Sequence, residues 1–200
     1  IKHPNWSMGK KISIDSASLM NKVFEIIEAK KIFNIKLNKF KILIHPNSYV
    51  HAIVKFRNGL TKILIHDTDM RIPIINSIYE QTDFNSKSKK LNLDYLNDLN
   101  LSNVNLNKFE SVKILKQIPN KNSLYETVIV SANDELVHLF LKRKIKFTDI
   151  VNKLSSFIKR KEFIKYKYKY PKNLDQIKIL SRYVRLKVNS LCIWSLVWSR

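Results

Sequence analysis

The chain is short of glycine, cysteine and acid. Its two glycines, Gly9 and Gly59, lie far apart. A phosphate-cradling loop at the head of a dinucleotide-binding βαβ unit needs several closely spaced glycines, so no Rossmann domain is expected within this chain. The single cysteine, Cys192, excludes an internal disulfide and any multi-cysteine zinc cluster. Alone it reads as a small buried apolar residue in a reducing compartment. No apolar run reaches the roughly 20 residues of a membrane span, and "SLCIWSLVW" near the end falls well short. No signal peptide is read. Sixteen Asp and Glu stand against 37 Lys and Arg, a net charge of +21. Such an excess suits a nucleic-acid or anionic-membrane partner. The lysines are spread along the whole chain, however, among many Asn and Ile. That pattern reads as the compositional drift of AT-rich codons, and neither partner is expected.

What is present divides into three stretches, 1–80, 81–122 and 123–200. "KKISID" alternates and predicts a strand at 10–15. Asp15 or Ser16 then caps a helix over 17–32, with Leu19, Val23, Ile26 and Ile27 on its apolar face. Further strands are expected at 40–45, 49–56 and 60–66. The last two flank Arg57-Asn58-Gly59, a hairpin signal because Asn and Gly tolerate positive φ. Residues 81–108 are polar and asparagine-rich and read as a connector. "KFESVKILKQI" is a short helix. Amphipathic helices are expected at 131–143, capped by Ser131 or Asn133, and at 148–160, capped by Thr148. "KYKYKY" (165–170) reads as an edge or linker, and a last helix starts near 173. The fold class is α+β: an α/β layer with a mostly antiparallel sheet, followed by a C-terminal helical bundle.

One stretch gathers chemistry. Near the predicted start of the 17–32 helix stand Ser16, Asn21, Lys22 and Glu25. A helix N-terminus presents free N–H groups and a partial positive charge, so it receives an anion without a glycine loop. A hydroxyl, an amide and an ammonium there make a phosphate receptor. Glu25 lies one turn beyond and adds a carboxylate on the same face. The plainer alternative is a solvated helix face carrying a Lys–Glu pair. From spacing alone the plainer reading is preferred.

"HPNWSMGKKISIDSASLMNK" followed by "EIIEA" resembles the 1-deoxy-D-xylulose 5-phosphate reductoisomerase family of the non-mevalonate isoprenoid pathway. "IHPNSYVHAIV" (44–54), "DMRIPI" (69–74) and "SANDELVHLFLKRKIKFTDI" (131–150) continue the match in the same order. The resemblance implies an oxidoreductase that rearranges 1-deoxy-D-xylulose 5-phosphate on Mg²⁺ or Mn²⁺. NADPH then reduces the product to 2-C-methyl-D-erythritol 4-phosphate. It implies that Ser16, Asn21 and Lys22 hold the substrate phosphate and hydroxyls, and that Glu25 is a metal ligand. His3 and Trp6 would belong to a flap over the substrate, and Met8 and Met70 would line the nicotinamide side. His51 would face the site and help polarise or position the substrate. His45 is expected to be structural. A homodimer in a bacterial cytoplasm or plastid-type organelle is implied as well.

The chain opens on Ile1 inside the motif-like "IKHPNW", which reads as part of a longer protein. A hard divalent cation usually takes more than one carboxylate, so Glu25 alone is not a metal site. The resemblance places the other acidic ligands and the dinucleotide fold ahead of residue 1, and it makes the 200 residues inactive by themselves. The chain also departs from the family pattern. Val23 stands where glycine is usual and is expected to crowd the substrate or a packed neighbour. Ser18 replaces threonine, Asn47 replaces glutamine, Thr68 replaces proline, and the tail "VNSLCIWSLVWSR" is atypical. The alternatives are a non-catalytic relic of the enzyme and a basic nucleic-acid- or membrane-binding module.

Overall fold

The computed structural model describes residues 9–79, 93–97 and 99–197. It is mostly helical with small antiparallel sheets. Contacts divide it into two compact units, one of residues 9–41 with 105–197 and one of 42–104. The units cut the chain at other places than the expected divisions at 80 and 122, which follow composition along the sequence.

The first unit begins with helix α1 (Lys10–Ala17) and α2 (Met20–Phe33). A 3₁₀ turn over Glu110–Gln117 follows from the far side of the sequence. Then come α5 (Tyr125–Leu141), α6 (Phe147–Ile158), α7 (Lys161–Ile164) and α8 (Leu174–Val197). Helix α5 is buried on nearly every side, polar residues Glu126, Ser131, Asn133 and Glu135 included. Tyr125, Val128, Ile129, Ala132, Leu136, Val137 and Leu139 are all buried. It packs on α6 and α8 and touches α1. Helix α5 ends with Arg143 in the left-handed region (φ 58°), and Lys144 N–H donates back to the Leu139 carbonyl at 2.9 Å. That is the wrapping hydrogen bond of a Schellman ending.

The second unit holds β1 (Leu43–Ile44), β2 (Val50–Lys55), β3 (Thr61–Ile65), α3 (Arg71–Ile78), α4 (Leu93–Asn97) and β4 (Ser102–Asn103). Strands β2 and β3 form the expected hairpin, with Ile53 opposite Ile63 and Lys55 opposite Thr61. Phe56 N–H donates to the Leu60 carbonyl at 2.8 Å, closing the Arg57-Asn58-Gly59 loop. Gly59 takes the positive φ, 89°, that a three-residue loop needs at its last position. Strand β1 is shorter than the expected 40–45. It pairs with β4, Leu43 opposite Asn103, so the stretch read as a connector contributes a strand as well as α4.

Residues 10–15 are helix, not strand. Lys11 and Asp15 form an ion pair of 2.7 Å one turn apart, which favours helix. Ser13, Ile14 and Asp15 are all buried in succession, so tertiary contacts override the alternation of β-branched residues. The helix expected over 17–32 is α2, which starts at Met20 after a break at Ser18-Leu19, where Leu19 adopts φ 58°. Asp15 and Ser16 therefore lie in the last turn of α1 and cap nothing. Ser131 and Asn133 are not caps either, because α5 starts two turns earlier. Ser123 N–H and Oγ–H both donate to Glu126 Oε2, at 3.0 and 2.8 Å, and the Ser123 hydroxyl accepts from Tyr125 N–H. That is a capping-box pattern, Ser-x-x-Glu, legible as "SLYE". Thr148 falls inside α6, whose cap is Lys146.

Candidate functional site

Four of the candidate residues fall on consecutive helices of the first unit. Ser16 closes α1, and Asn21, Lys22 and Glu25 stand on the first two turns of α2. The break at Leu19 starts a new helix, so the N–H groups of its first turn, at Met20 to Lys22, have no intrahelical acceptor. The anion-receiving N-terminus is thus that of α2, with Asn21 and Lys22 inside its first turn and Ser16 just before the break.

Lys22 Nζ donates to both carboxylate oxygens of Glu25, at 3.0 and 2.8 Å. Both side chains are substantially exposed, 40% and 53%. Asn21 is different: its Oδ1 is buried and has no hydrogen-bond partner among the described residues. An orphaned buried acceptor costs about 1–3 kcal/mol, a penalty that a ligand hydroxyl or N–H would remove. Val23, beside Lys22, is fully buried within the apolar core. It therefore meets packed neighbours within the protein and not the exposed Lys22–Glu25 face.

The turn that spaces Ser16 from Asn21 is held from both sides. Asp15, 3% exposed, accepts from Lys11 Nζ at 2.7 Å and from Asn133 Nδ2 at 2.8 Å. Ser18 Oγ–H donates back to the Ile14 and Asp15 carbonyls at 3.1 and 3.2 Å. The Ser18 carbonyl accepts from the buried Ser111 hydroxyl. Lys11 also meets Asp134 Oδ1 at 2.9 Å, an ion pair lacking hydrogen-bond alignment. Asp134 Oδ2 accepts from Arg185 on α8 at 2.8 Å. Burial pulls the Lys11 ammonium down, but the two carboxylates more than offset it and hold its pKa above the ordinary lysine value. Lys11, Ser111 and Asn133 were not among the sequence candidates. The only signal for Asn133 was its place in "SANDELVHLF", where it resembled a cap.

The remaining candidates belong to the second unit or lie outside the described residues. His51 sits on β2 where the register slips between Val50 and Ala52, and such a bulge re-aims a side chain. Its Nε2 is 3.0 Å from the His66 carbonyl, and its ring stacks on that of His66 at 3.5 Å. Met70 precedes α3 and is half exposed. His45 Nδ1 accepts from Tyr49 N–H at 3.1 Å, which pins the turn into β2. His3, Trp6 and Met8 lie outside the described residues.

Two family comparisons cover most of the chain. Residues 65–187 match the DXP reductoisomerase C-terminal domain, and residues 1–33 match the 1-deoxy-D-xylulose 5-phosphate reductoisomerase C-terminal domain. The chain belongs to the DXP reductoisomerase family. It is 58% identical to the 1-deoxy-D-xylulose 5-phosphate reductoisomerase of Pelagibacter ubique, over 96% of this chain and 50% of that protein. To the enzyme of Aquifex aeolicus it is 33% identical, over 96% of this chain and 49% of that protein. A crystal structure of DOX-P reductoisomerase in complex with NADPH, fosmidomycin and magnesium superposes with a TM-score of 0.85 at 30% identity. That match covers 96% of this chain and 48% of the other. The chain spans about half the length of the curated relatives it matches.

The fit to the cofactors of that structure is partial. Among the described residues no three His, Cys, Asp or Glu side chains gather as a metal site requires. Glu25 offers one carboxylate, already bonded to Lys22. The described residues therefore do not make a magnesium site by themselves, and the two separated glycines make no dinucleotide loop. Among the described residues no helix is long and apolar enough to cross a membrane.

Proposed function

We propose that this chain supplies the substrate-phosphate site of a 1-deoxy-D-xylulose 5-phosphate reductoisomerase. The reaction is the rearrangement and NADPH-dependent reduction of that sugar phosphate to 2-C-methyl-D-erythritol 4-phosphate, in an assembly that we take to be a homodimer. The observation that carries the reading is the first turn of α2. It joins free helix N–H groups, the Lys22 ammonium and the orphaned Asn21 acceptor within a motif that resembles the family's.

The residues have separable tasks. Lys22 and the N-terminus of α2 meet the phosphate with charge and dipole. Ser16 adds a hydroxyl donor. Asn21 presents its amide oxygen to a substrate hydroxyl. Glu25 would offer one carboxylate oxygen to a divalent metal, which would supply Lewis-acid stabilisation. By resemblance to the family, Met70 and Met8 are assigned to the nicotinamide, and His51, His3 and Trp6 to the substrate.

The exposed Lys22–Glu25 pair favours a second reading, a solvated surface bridge. Lys22→Ala in the complete enzyme separates the two. Loss of a charge-assisted hydrogen bond to phosphate weakens substrate binding by about 2 kcal/mol. Loss of a surface bridge leaves affinity unchanged. Titration calorimetry with 1-deoxy-D-xylulose 5-phosphate decides between them, and an unchanged dissociation constant removes Lys22 from the site.

A further inference from the structure

We infer that Asn133, with Ser111, positions the phosphate site by clamping the Asp15–Leu19 turn between α1 and α2. This rests on the phosphate reading of Ser16, Asn21 and Lys22. The turn decides how Ser16, on one helix, stands relative to Asn21 and Lys22 on the next. Two buried groups grip it from outside. Asn133, fully buried on α5, donates to the Asp15 carboxylate immediately before Ser16. Ser111, fully buried in the 3₁₀ turn, donates to the Ser18 carbonyl immediately before Leu19. Ser16 is therefore bracketed by two tethers to different parts of the helical unit.

The chemistry of Asn133 points to positioning more than to stability. Its Oδ1 is buried without a hydrogen-bond partner among the described residues. An apolar residue of similar size would avoid that penalty. What an apolar residue cannot do is hold a buried carboxylate in one rotamer. Asp15 in turn draws in Lys11, whose ammonium also faces Asp134, and Asp134 faces Arg185 on α8. The turn is thus tied through α5 to α8 by charged groups from three helices.

Exchange of the two partners tests this. Asn133→Asp sets a second carboxylate against Asp15 at hydrogen-bond distance, where the two can bond only by sharing a proton. The double variant Asp15→Asn with Asn133→Asp restores an amide–carboxylate bond in the opposite sense. The readout is the dissociation constant for 1-deoxy-D-xylulose 5-phosphate in the complete enzyme without NADPH, as a ratio to the parent at each pH. The ratio cancels titration of the phosphate itself. For Asn133→Asp we expect about tenfold weaker binding near pH 8, largely recovered near pH 5 as the pair takes up its proton. The double variant should bind within about threefold of the parent at both pH values. Thermal unfolding is followed on the same samples. Rescue of melting temperature without rescue of affinity would show a purely structural role and overturn the inference. If Asn133→Asp does not fold, Ser111→Ala carries the test: it removes the other tether and weakens binding several-fold, and unchanged affinity there overturns the inference. The Lys22→Ala result separates the two levels. If Lys22→Ala weakens binding and the tether variants do not, the clamp falls alone. If Lys22→Ala has no effect, the phosphate site falls.

Discussion

The helical unit and the hairpin unit bury their apolar residues very differently. Every member of the hydrophobic core cluster lies in residues 9–41 or 105–197. In residues 42–104, among those described, Tyr49 alone is a buried apolar side chain. Ile53, Val54, Phe56, Leu60, Ile63 and Leu64 of the hairpin are all exposed. Burial of about 25 cal/mol per Å² is what offsets the chain entropy of folding, and a lone two-stranded hairpin gains little of it. The helical unit is thus built to carry stability and to hold a turn rigidly. The hairpin unit carries His51 and Met70 on a frame with little core of its own.

The ion pairs repeat the contrast. Lys30 and Glu126 tie the last turn of α2 to the first turn of α5 at 2.8 Å, with side chains only 2% and 3% exposed. Lys30 Nζ also donates to the Lys121 carbonyl at 3.2 Å, and Glu126 accepts from Ser123. Glu126→Ala would strand a buried ammonium, so a loss of about 3–5 kcal/mol is expected in denaturant unfolding followed by helical circular dichroism. Replacing both partners by apolar residues, Lys30→Met with Glu126→Leu, should recover most of it. A loss below about 1 kcal/mol for Glu126→Ala would mean that the helical unit does not bury this pair in solution.

Equal truncations in the two units should have unequal effects. Leu154 on α6 is fully buried, and Leu64 on β3 is 55% exposed. Leu154→Ala should cost about 2–5 kcal/mol through lost transfer energy and a cavity. Leu64→Ala should cost less than about 1 kcal/mol. Comparable losses would show that the hairpin side chains are covered in solution, and the contrast between the units would be lost.

The same contrast explains what could be read from the sequence. Helices α5 and α6 and the hairpin were legible because their signals are local: apolar periodicity, and an Asn-Gly loop. The family motifs were legible because residue order alone carries them. Helix α1 was not, since "KKISID" alternates like a strand, and only its burial against α5 and the Lys11–Asp15 pair make it helical. The break at Leu19 has no glycine to announce it. Asn133 looked like a cap because its true partner, Asp15, is 118 residues away. Ser16, Asn21, Lys22 and Glu25 were found as site candidates, while the long-range tethers that fix the turn between them were invisible to spacing.

The smallest effect belongs to the one charged clasp at the start of α3. Asp69 accepts from the Arg71 guanidinium at 2.6 and 3.0 Å and from the Arg71 backbone N–H at 2.9 Å, in solvent. Those hydrogen bonds, the guanidinium's first, hold the Asp69 carboxyl down to about 2 from an ordinary 3.8. A carboxyl depressed in the folded state favours folding above its unfolded pKa and loses that contribution as pH falls through its folded one. The clasp should therefore persist at neutral pH and disappear only as pH approaches 2. Carboxyl-carbon NMR should give an Asp69 midpoint near 2, and Arg71→Gln should return it toward 3.8. Global unfolding should scarcely change, because exposed pairs contribute little. A midpoint near the ordinary value in the parent would show that the "DMRIPI" turn is open in solution. A large stability change in Arg71→Gln would show instead that this turn is packed against more than solvent.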